Sequence, residues 1–203
     1  KDEKIIVAIN EERLTKRKLD VGFPRESIKA CLRYANLRPS DINDVAISTS
    51  DFAKTLTRYF AQLKDSYYNF RRRNTSLPIL HDLRRSFKYK ITEIGPSTVT
   101  KRLTEIKIKK ELKKLGFKDF NLSIIDHHTA HAASAAYTSG FSKALVITLD
   151  GIGDGLSGST SIFENGEIER ISSISGKDSL GIFYEQVTSL LNMRELEDEG
   201  KVM

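Results

Sequence analysis

Three of the four histidines in the 203-residue chain fall within one short segment, residues 126–131 (DHHTAH). If a helix begins near Asp126, which would suit its N-cap, His127 and His131 lie one turn apart on the same face, and both imidazoles can direct a nitrogen at one metal ion. His128 then points elsewhere and is free to move protons. Two histidines need at least one further ligand to complete a metal site. The alternative interpretation is a structural cluster of hydrogen-bonded histidines.

A second candidate site lies where an apolar run, residues 144–149 (ALVITL), ends in the carboxylate of Asp150. The turn after it contains Gly151, Gly153, Asp154 and Gly155. Glycines let backbone N–H groups approach phosphate oxygens, and the carboxylate can hold a divalent ion or orient a water. No Gly-Lys-Ser/Thr follows, and the next element is a hairpin, which excludes the Walker and dinucleotide patterns. The strand–turn–strand phosphate loop of actin-like ATPases fits, and an ordinary glycine-rich hairpin is the alternative.

A third candidate site comprises Gly181 and Glu185, which lie one turn apart near the start of a predicted helix. The glycine permits a close backbone approach, and together the two residues could contact a ribose. The alternative is a normally capped amphipathic helix.

Hydrophobic periodicity places these residues at the ends of strands and the beginnings of helices. The predicted strands are residues 4–10, 44–48, 122–125, 144–149, 159–163 and 167–172, and Asn165-Gly166 between the last two predicts a hairpin turn. The predicted helices are residues 24–35, 53–73, 99–115, 129–137 and 180–191. On the helix at 99–115, the apolar side chains Val99, Leu103, Ile106 and Leu112 fall near one face. The β–α–β beginning is typical of a mixed or parallel sheet covered by helices.

The charge is distributed unevenly along the chain. Residues 54–118 carry 18 basic and 5 acidic side chains, whereas the remainder carries 15 basic and 22 acidic ones. Eight of the seventeen aromatic residues lie in this basic segment, a composition typical of single-stranded nucleic-acid surfaces. It is equally typical of a solvated lysine-rich helix with aromatics in the core, and that interpretation is preferred. Recognition of an anionic substrate or a docking partner is a third possibility.

The composition excludes a disordered tail, a collagen-like chain and a membrane protein, since 39% of the residues are hydrophobic and 30% charged. The single cysteine, Cys31, excludes an intrachain disulfide and favours a reducing compartment, so we expect a cytoplasmic protein with a buried, inert thiol. No apolar run predicts a membrane span, and no signal peptide is visible. Because the chain starts at Lys1 and ends directly after a charged run, we expect a fragment of a longer protein.

Residues 126–156, 178–188 and 199–203 closely resemble the O-carbamoyltransferase family of nodulation-factor, cephamycin and tobramycin type, and residues 6–37 also resemble it. The resemblance covers roughly 1–50 and 121–203. The basic segment 54–118 matches no family pattern and is interpreted as a mostly helical insertion or variable lobe within one N-terminal domain. Family members begin with a Gly-His-Asp strand, expected upstream of Lys1, so the chain is expected to hold the first half of the transferase domain.

This resemblance implies an α/β, RNase H-like or actin-like (ASKHA) fold, related to enzymes that make threonylcarbamoyladenosine in tRNA. It implies carbamoyl phosphate and ATP as substrates, a YrdC-like domain that makes carbamoyl adenylate, and transfer to a hydroxyl-bearing small molecule. The metal ligands map onto His127 and His131, the ion being Fe or Mg, with a third, aspartate ligand expected later in the full chain. Asp150 and its glycines map onto the phosphate loop, and Gly181 and Glu185 onto a ribose contact.

The mechanism follows as a hypothesis. The metal would polarise the carbamoyl or phosphate oxygen, the glycine amides would neutralise phosphate charge, and Asp150 or His128 would deprotonate the acceptor. One competing hypothesis is an ATPase or kinase on the same fold, which gives no reason for the histidine cluster. Another is a nucleic-acid-binding module or a tRNA-modifying relative that uses the basic segment.

Overall fold

The structure is a computed structural model, and it describes residues 4–17, 20, 22–60, 90–193 and 198–202. The helices in these ranges are α1 (Glu11–Thr15), α2 (Arg25–Ala35), α3 (Phe52–Tyr59), α4 (Thr98–Lys114), α5 (His127–Ser139) and α6 (Leu180–Leu190). The strands are β1 (Asp44–Ser48), β2 (Asn121–Ile125), β3 (Lys143–Gly153), β4 (Leu156–Glu164) and β5 (Glu167–Ser175). This mixture confirms the predicted α/β class. None of the described helices has the length and apolar character needed to cross a membrane.

The strands β1 and β2 form a parallel pair, with Asp44 opposite Asn121 and Ser48 opposite Ile125. Parallel strands end at the same edge of a sheet, so the residues that follow them come together. Thr49 follows β1, and its amide continues the pairing by donating to the carbonyl of Ile125 at 3.1 Å. The start of α5 follows β2. This edge therefore brings the histidine segment beside the loop after β1.

The strands β3, β4 and β5 form an antiparallel sheet in that order. The hairpin predicted at Asn165 and Gly166 is confirmed, and both residues have positive φ angles of 54° and 79°, as a type I′ turn requires. Strand β3 is longer than predicted, because it continues past Asp150 to Gly153 through an irregular register that begins after Leu149. The predicted turn glycines therefore lie partly within a strand.

One face of this sheet packs against α5. Ala132 and Ala136 of the helix contact Val146 and Phe163 of the sheet, and all four are buried. Alanine side chains let the helix axis approach the sheet closely, which fixes the position of the histidines one turn earlier on the same helix. The other face carries an apolar row of β3, in which every second residue from Leu145 to Leu149 is more than 60% exposed.

A second core surrounds α4, where Ile108, Leu112 and Phe117 pack against α2, β1 and β2. The predicted helix at 99–115 is confirmed, but the predicted buried face was wrong: of its four apolar side chains only Leu112 is buried. The helix instead buries threonines, since Thr104 is fully buried and its hydroxyl lies 2.9 Å from that of Thr55 on α3. Hydrogen bonding between helices therefore overrides simple apolar periodicity here.

The basic segment 54–118 is only partly described, because residues 61–89 lie outside the described ranges and the predicted helix at 53–73 is seen only as α3. The described part includes α4, whose residues belong to the second core. Some of the charged side chains of α4 are paired. The largely buried Glu111 carboxylate lies 3.0 Å from Lys114 and 3.7 Å from Lys107 of the same helix, and 2.8 Å from Arg25 of α2. This part of the segment is built into the domain core.

The predicted strand at residues 4–10 was wrong. These residues form no strand within the described chain, and Ile5 and Ile6 are exposed. An apolar β-branched run becomes a strand only where a neighbouring strand accepts its hydrogen bonds, and none does so among the described residues. The carboxylate of Glu11 then caps α2 by accepting from the amides of Glu26 and Ser27 at 3.0 and 2.7 Å. Cys31 on α2 is half-buried rather than buried.

Candidate metal and nucleotide site

The helix that carries the histidines begins one residue after Asp126, two residues earlier than the predicted helix at 129–137, and this start places His127 and His131 one turn apart. The carboxylate of Asp126 accepts from the amide of Thr129 at 2.8 Å and so caps α5. Arg170 of β5 donates to both Asp126 and the Thr129 hydroxyl, which ties the helix to the sheet. Partial burial raises the pKa of Asp126, but the hydrogen bonds from Thr129 and Arg170 outweigh it and leave the pKa lowered. The Asp126 carboxylate that caps α5 is therefore ionised.

His127, His131 and Asp150 bring three potential ligand atoms together. The Nε2 atom of His127 lies 2.6 Å from Oδ2 of Asp150 and 3.1 Å from Nε2 of His131, and His131 lies 3.5 Å from the same carboxylate oxygen. Two ligands that are each about 2.1 Å from a metal ion and at right angles to each other lie about 3 Å apart. The three atoms are thus close to the separations that one ion requires. His131 and Asp150 keep the cluster open to solvent, with 52% and 38% of their side chains exposed.

Asp150 was predicted as a nucleotide-binding and catalytic residue, with the carboxylate ligand expected in a later part of the full chain. The structure instead places Asp150 against both histidines. Only the topology could have indicated the contact between Asp150 and the histidines. Strand β3 packs beside α5, and the bent end of β3 turns the Asp150 carboxylate towards the first turn of this helix.

The electrostatics of the cluster follow from one short hydrogen bond. The contact with His127 holds the pKa of Asp150 far below its usual range, against the opposing effect of burial, and the amide of Gly151 assists it at 2.6 Å. The same hydrogen bond raises the pKa of His127, again against burial. Asp150 is therefore ionised. A bound cation would take the place of the proton shared with His127 and would neutralise the negative charge of this carboxylate.

His128 occupies a different environment from its two neighbours. It is fully buried, its Nδ1 lies 2.8 Å from the Thr148 hydroxyl, and its Nε2 lies 3.1 Å from the carbonyl oxygen of Leu156. Both ring nitrogens are thus bonded inside the protein, where His128 links α5 to β3 and β4. A ring held in this way is not placed to take a proton from an acceptor hydroxyl, so Asp150 is the better placed of the two predicted bases.

Gly153 is essential to the position of His127. A Cβ atom added at Gly153 would lie 2.0 Å from Cδ2 and 2.3 Å from Cγ of the His127 ring. No side chain fits in that space, so the imidazole rests directly on the backbone of β3. The glycine-rich pattern predicts that Gly153 binds phosphate, and the structure shows an additional reason for glycine here.

Asp154 was predicted to contact the nucleotide, but its carboxylate is buried and faces backbone amides. One oxygen accepts from Ser50 and Asp51, both at 3.1 Å, and the other accepts from His127 at 2.9 Å. Asp154 also has a φ of 53°, in the left-handed region. It therefore joins the loop after β1, the end of β3 and the start of α5 at one point.

Replacing Asp154 with alanine is expected to lower the free energy of unfolding by about 3 kcal/mol, because two buried amides and one partly buried amide lose their acceptor. Asp154→Asn should cost about 1 kcal/mol, since asparagine tolerates the left-handed backbone and its one oxygen can still accept from Ser50 and Asp51. Urea denaturation measures both values. Equal stability of Asp154→Ala and the unmodified protein would contradict this role.

Gly181 packs against the turn that carries Asp150. A Cβ atom there would lie 2.9 Å from Cα of Gly151 and 3.0 Å from the carbonyl oxygen of Asp150. The Ser179 hydroxyl, which caps α6, also donates to the carbonyl oxygen of Gly151. Helix α6 is thus held with its N-terminus at the turn. Glu185, predicted as a partner of Gly181 at a ribose, is buried one turn further along this helix.

A pocket of about 250 Å³ opens between the end of β3 and the start of α6. Its lining residues are Leu149, Asp150, Gly151, Ser157, Ile174, Asp178, Leu180 and Gly181. The predicted residues Asp150, Gly151 and Gly181 therefore come together, whereas Gly153, Asp154, Gly155 and Glu185 do not line this pocket. The first turn of a helix, with free amides and a positive dipole end, favours anions at such a position.

The described residues thus define an α/β protein with a cluster of two histidines and one carboxylate beside a pocket. A family model described as the carbamoyltransferase N-terminus matches residues 1–203, so the chain belongs to the carbamoyltransferase family. The match includes the basic segment, which sequence inspection could not place.

Three similar proteins align with the whole of this chain. It is 29% identical to nodulation protein NolNO of Sinorhizobium fredii, 30% identical to the uncharacterized protein MJ1051 of Methanocaldococcus jannaschii and 29% identical to the uncharacterized protein sll1178 of Synechocystis. Each alignment covers 100% of this chain, but only 26%, 29% and 31% of the respective relative. The chain therefore spans less than a third of the length of these relatives.

Proposed function

We propose that this chain is the part of a longer carbamoyltransferase that holds a metal ion and the activated carbamoyl donor during transfer to a hydroxyl group of a small molecule. The observation that supports this most directly is the shared position of Asp150. Its carboxylate belongs to the cluster with His127 and His131, and it also lines the pocket at the start of α6. A donor bound in that pocket would have its reacting group next to the cluster.

The donor proposed is carbamoyl adenylate, made from carbamoyl phosphate and ATP by a YrdC-like domain of the full-length protein. The N-terminus of α6 lies at the pocket, and the positive end of a helix dipole favours an anionic ligand there. Gly151 and Gly181 both line this pocket, and neither has a side chain to fill it. An actin-like fold for the complete domain belongs to the same proposal, and the strand–turn–strand arrangement of β3 and β4 is compatible with it.

The donor set of the cluster suits a transition metal. Two imidazoles and one carboxylate are typical ligands of Fe²⁺ and other first-row ions, whereas Mg²⁺ prefers oxygen ligands alone. Of the two ions expected from the sequence, Fe²⁺ therefore fits the residues better. The bound ion would supply a positive charge that polarises the carbamoyl or phosphate oxygen.

The protein residues position the reaction and manage the proton. The acceptor oxygen would attack the carbamoyl carbon, the bond between that carbon and the AMP phosphate oxygen would break, and AMP would leave with the bond electrons. The hydroxyl proton would pass to Asp150. A carboxylate is a weak base, which is sufficient because AMP is a good leaving group. The N-terminal end of α6, which lies at the pocket, would stabilise the charge on the departing phosphate.

The test uses the full-length protein with ATP, carbamoyl phosphate and a panel of hydroxyl-bearing compounds, followed by mass spectrometry. We expect AMP and pyrophosphate to form only when carbamoyl phosphate is present, and a carbamoylated product to accumulate with a suitable acceptor. Formation of ADP at a rate independent of carbamoyl phosphate would contradict the proposal and favour the ATPase or kinase alternative.

A further inference from the structure

Thr49 has an unusual backbone conformation directly beside the metal cluster. It is buried, it follows the last residue of β1, and its φ is 71°. This left-handed region is unfavourable for β-branched residues, since Cβ crowds the backbone, whereas glycine or asparagine adopts it easily. A threonine is kept at such a position only when surrounding contacts hold it there and its side chain has a use.

The contacts that hold Thr49 are visible on both sides. Its amide donates to the Ile125 carbonyl at 3.1 Å, and its own carbonyl accepts from Nη2 of Arg58 at 2.8 Å. The next two amides, of Ser50 and Asp51, bond to Asp154. All these bonds are made by backbone atoms of residues 49–51, so they hold the conformation without the Thr49 side chain, and the hydroxyl needs a separate explanation.

The Thr49 hydroxyl lies 2.9 Å from Nδ1 of His127. The other ring nitrogen, Nε2, faces Asp150 and His131. A histidine can bind a metal through Nε2 only when that atom has lost its proton, so the remaining proton must be on Nδ1. In that tautomer Nδ1 donates to the Thr49 oxygen. The same hydrogen bond also helps to fix the orientation of the ring, which rests on the backbone of Gly153.

We propose that Thr49 is a positioning residue that fixes the tautomer and the ring orientation of His127 for metal binding. This inference rests on the proposed metal site and deepens it. Outer hydrogen-bond partners of ligating histidines typically change metal affinity by about 10- to 100-fold. Thr49 follows β1, whereas the proposed ligands lie on α5 and β3, so its hydrogen bond connects the end of β1 to the cluster.

Three substitutions in the full-length protein separate the hydroxyl from the backbone strain. Thr49→Ser keeps the hydroxyl, Thr49→Val keeps the shape but not the hydroxyl, and Thr49→Gly removes both the hydroxyl and the strain. Co²⁺ affinity is measured by chelator competition with the visible absorption of the bound ion, and thermal unfolding is recorded for each variant. Thr49→Gly is expected to fold even where Thr49→Val does not, because glycine accepts a φ of 71° without cost.

The expected result is Co²⁺ affinity within about twofold of wild type for Thr49→Ser and a loss of about 10-fold or more for Thr49→Gly and any folded Thr49→Val. If Thr49→Gly binds Co²⁺ as tightly as Thr49→Ser, the positioning role is overturned while the metal site stands. If the wild-type protein itself binds no Co²⁺, the metal site fails, and this inference fails with it. The two failures are therefore distinguishable.

Discussion

His127→Ala and His131→Ala are each expected to lower the Co²⁺ affinity of the full-length protein by at least about 100-fold, because each removes one of three converging ligands. Carbamoyl transfer should fall with metal occupancy. Ser134→Ala is the matched control, since Ser134 is an exposed residue on the same helix and its side chain is not part of the cluster. Calorimetric titration with Co²⁺ measures the affinities, and a carbamoyl-transfer assay measures the activity.

Asp150→Asn extends this prediction to the third proposed ligand, which the sequence pattern offered as a carboxylate able to hold a divalent ion but did not join to the two histidines. The amide keeps the size of the carboxylate but loses its charge, so Co²⁺ affinity should drop by at least about 10-fold. An Asp150→Asn variant that binds Co²⁺ like wild type would show that the carboxylate is not a ligand. Undiminished carbamoyl transfer by both histidine variants would reject the metal site as a whole.

Gly153→Ala is expected to disrupt the same site without changing any ligand. Its methyl group would lie 2.0 Å from the His127 ring, so the ring or the strand must move. We expect at least a 10-fold loss of Co²⁺ affinity and a decrease of about 1–3 kcal/mol in the free energy of unfolding. The measurements are chelator competition and urea denaturation.

Gly151→Ala is the matched control, because a Cβ atom at that glycine meets nothing within 4 Å. It lies two residues earlier on the same strand, so both variants have the same loss of backbone freedom in the unfolded chain. The control should bind Co²⁺ like wild type. Equal affinities for the two variants would contradict the close packing of His127 on β3.

Local sequence patterns predicted the elements that carry the site. The helix cap at Asp126, the hairpin at Asn165 and Gly166, and strand β1 are all confirmed, since each depends on residues close together in the chain. Patterns failed where a distant partner decides the outcome. The apolar run at residues 4–10 finds no neighbouring strand in the described chain, and α4 buries Thr104 because Thr55 is there to bond it.

Only part of the candidate site could be predicted, because one member of the cluster comes from a distant part of the chain. His127 and His131 are four residues apart, so helical geometry alone pairs them. Asp150 joins them from another strand, and nothing local distinguishes a metal ligand from a phosphate-loop carboxylate. Thr49 carries no local signal at all: a threonine after a short strand is ordinary, and only its φ of 71° and its contact with His127 identify it.

The most direct test of the central claim is an anomalous difference map from a crystal of the full-length protein loaded with Co²⁺. The account predicts one strong peak about 2.1 Å from Nε2 of His127 and Nε2 of His131, with an oxygen of Asp150 in the same coordination shell. A peak elsewhere, or one that the histidines bind while Asp150 points away, would contradict it.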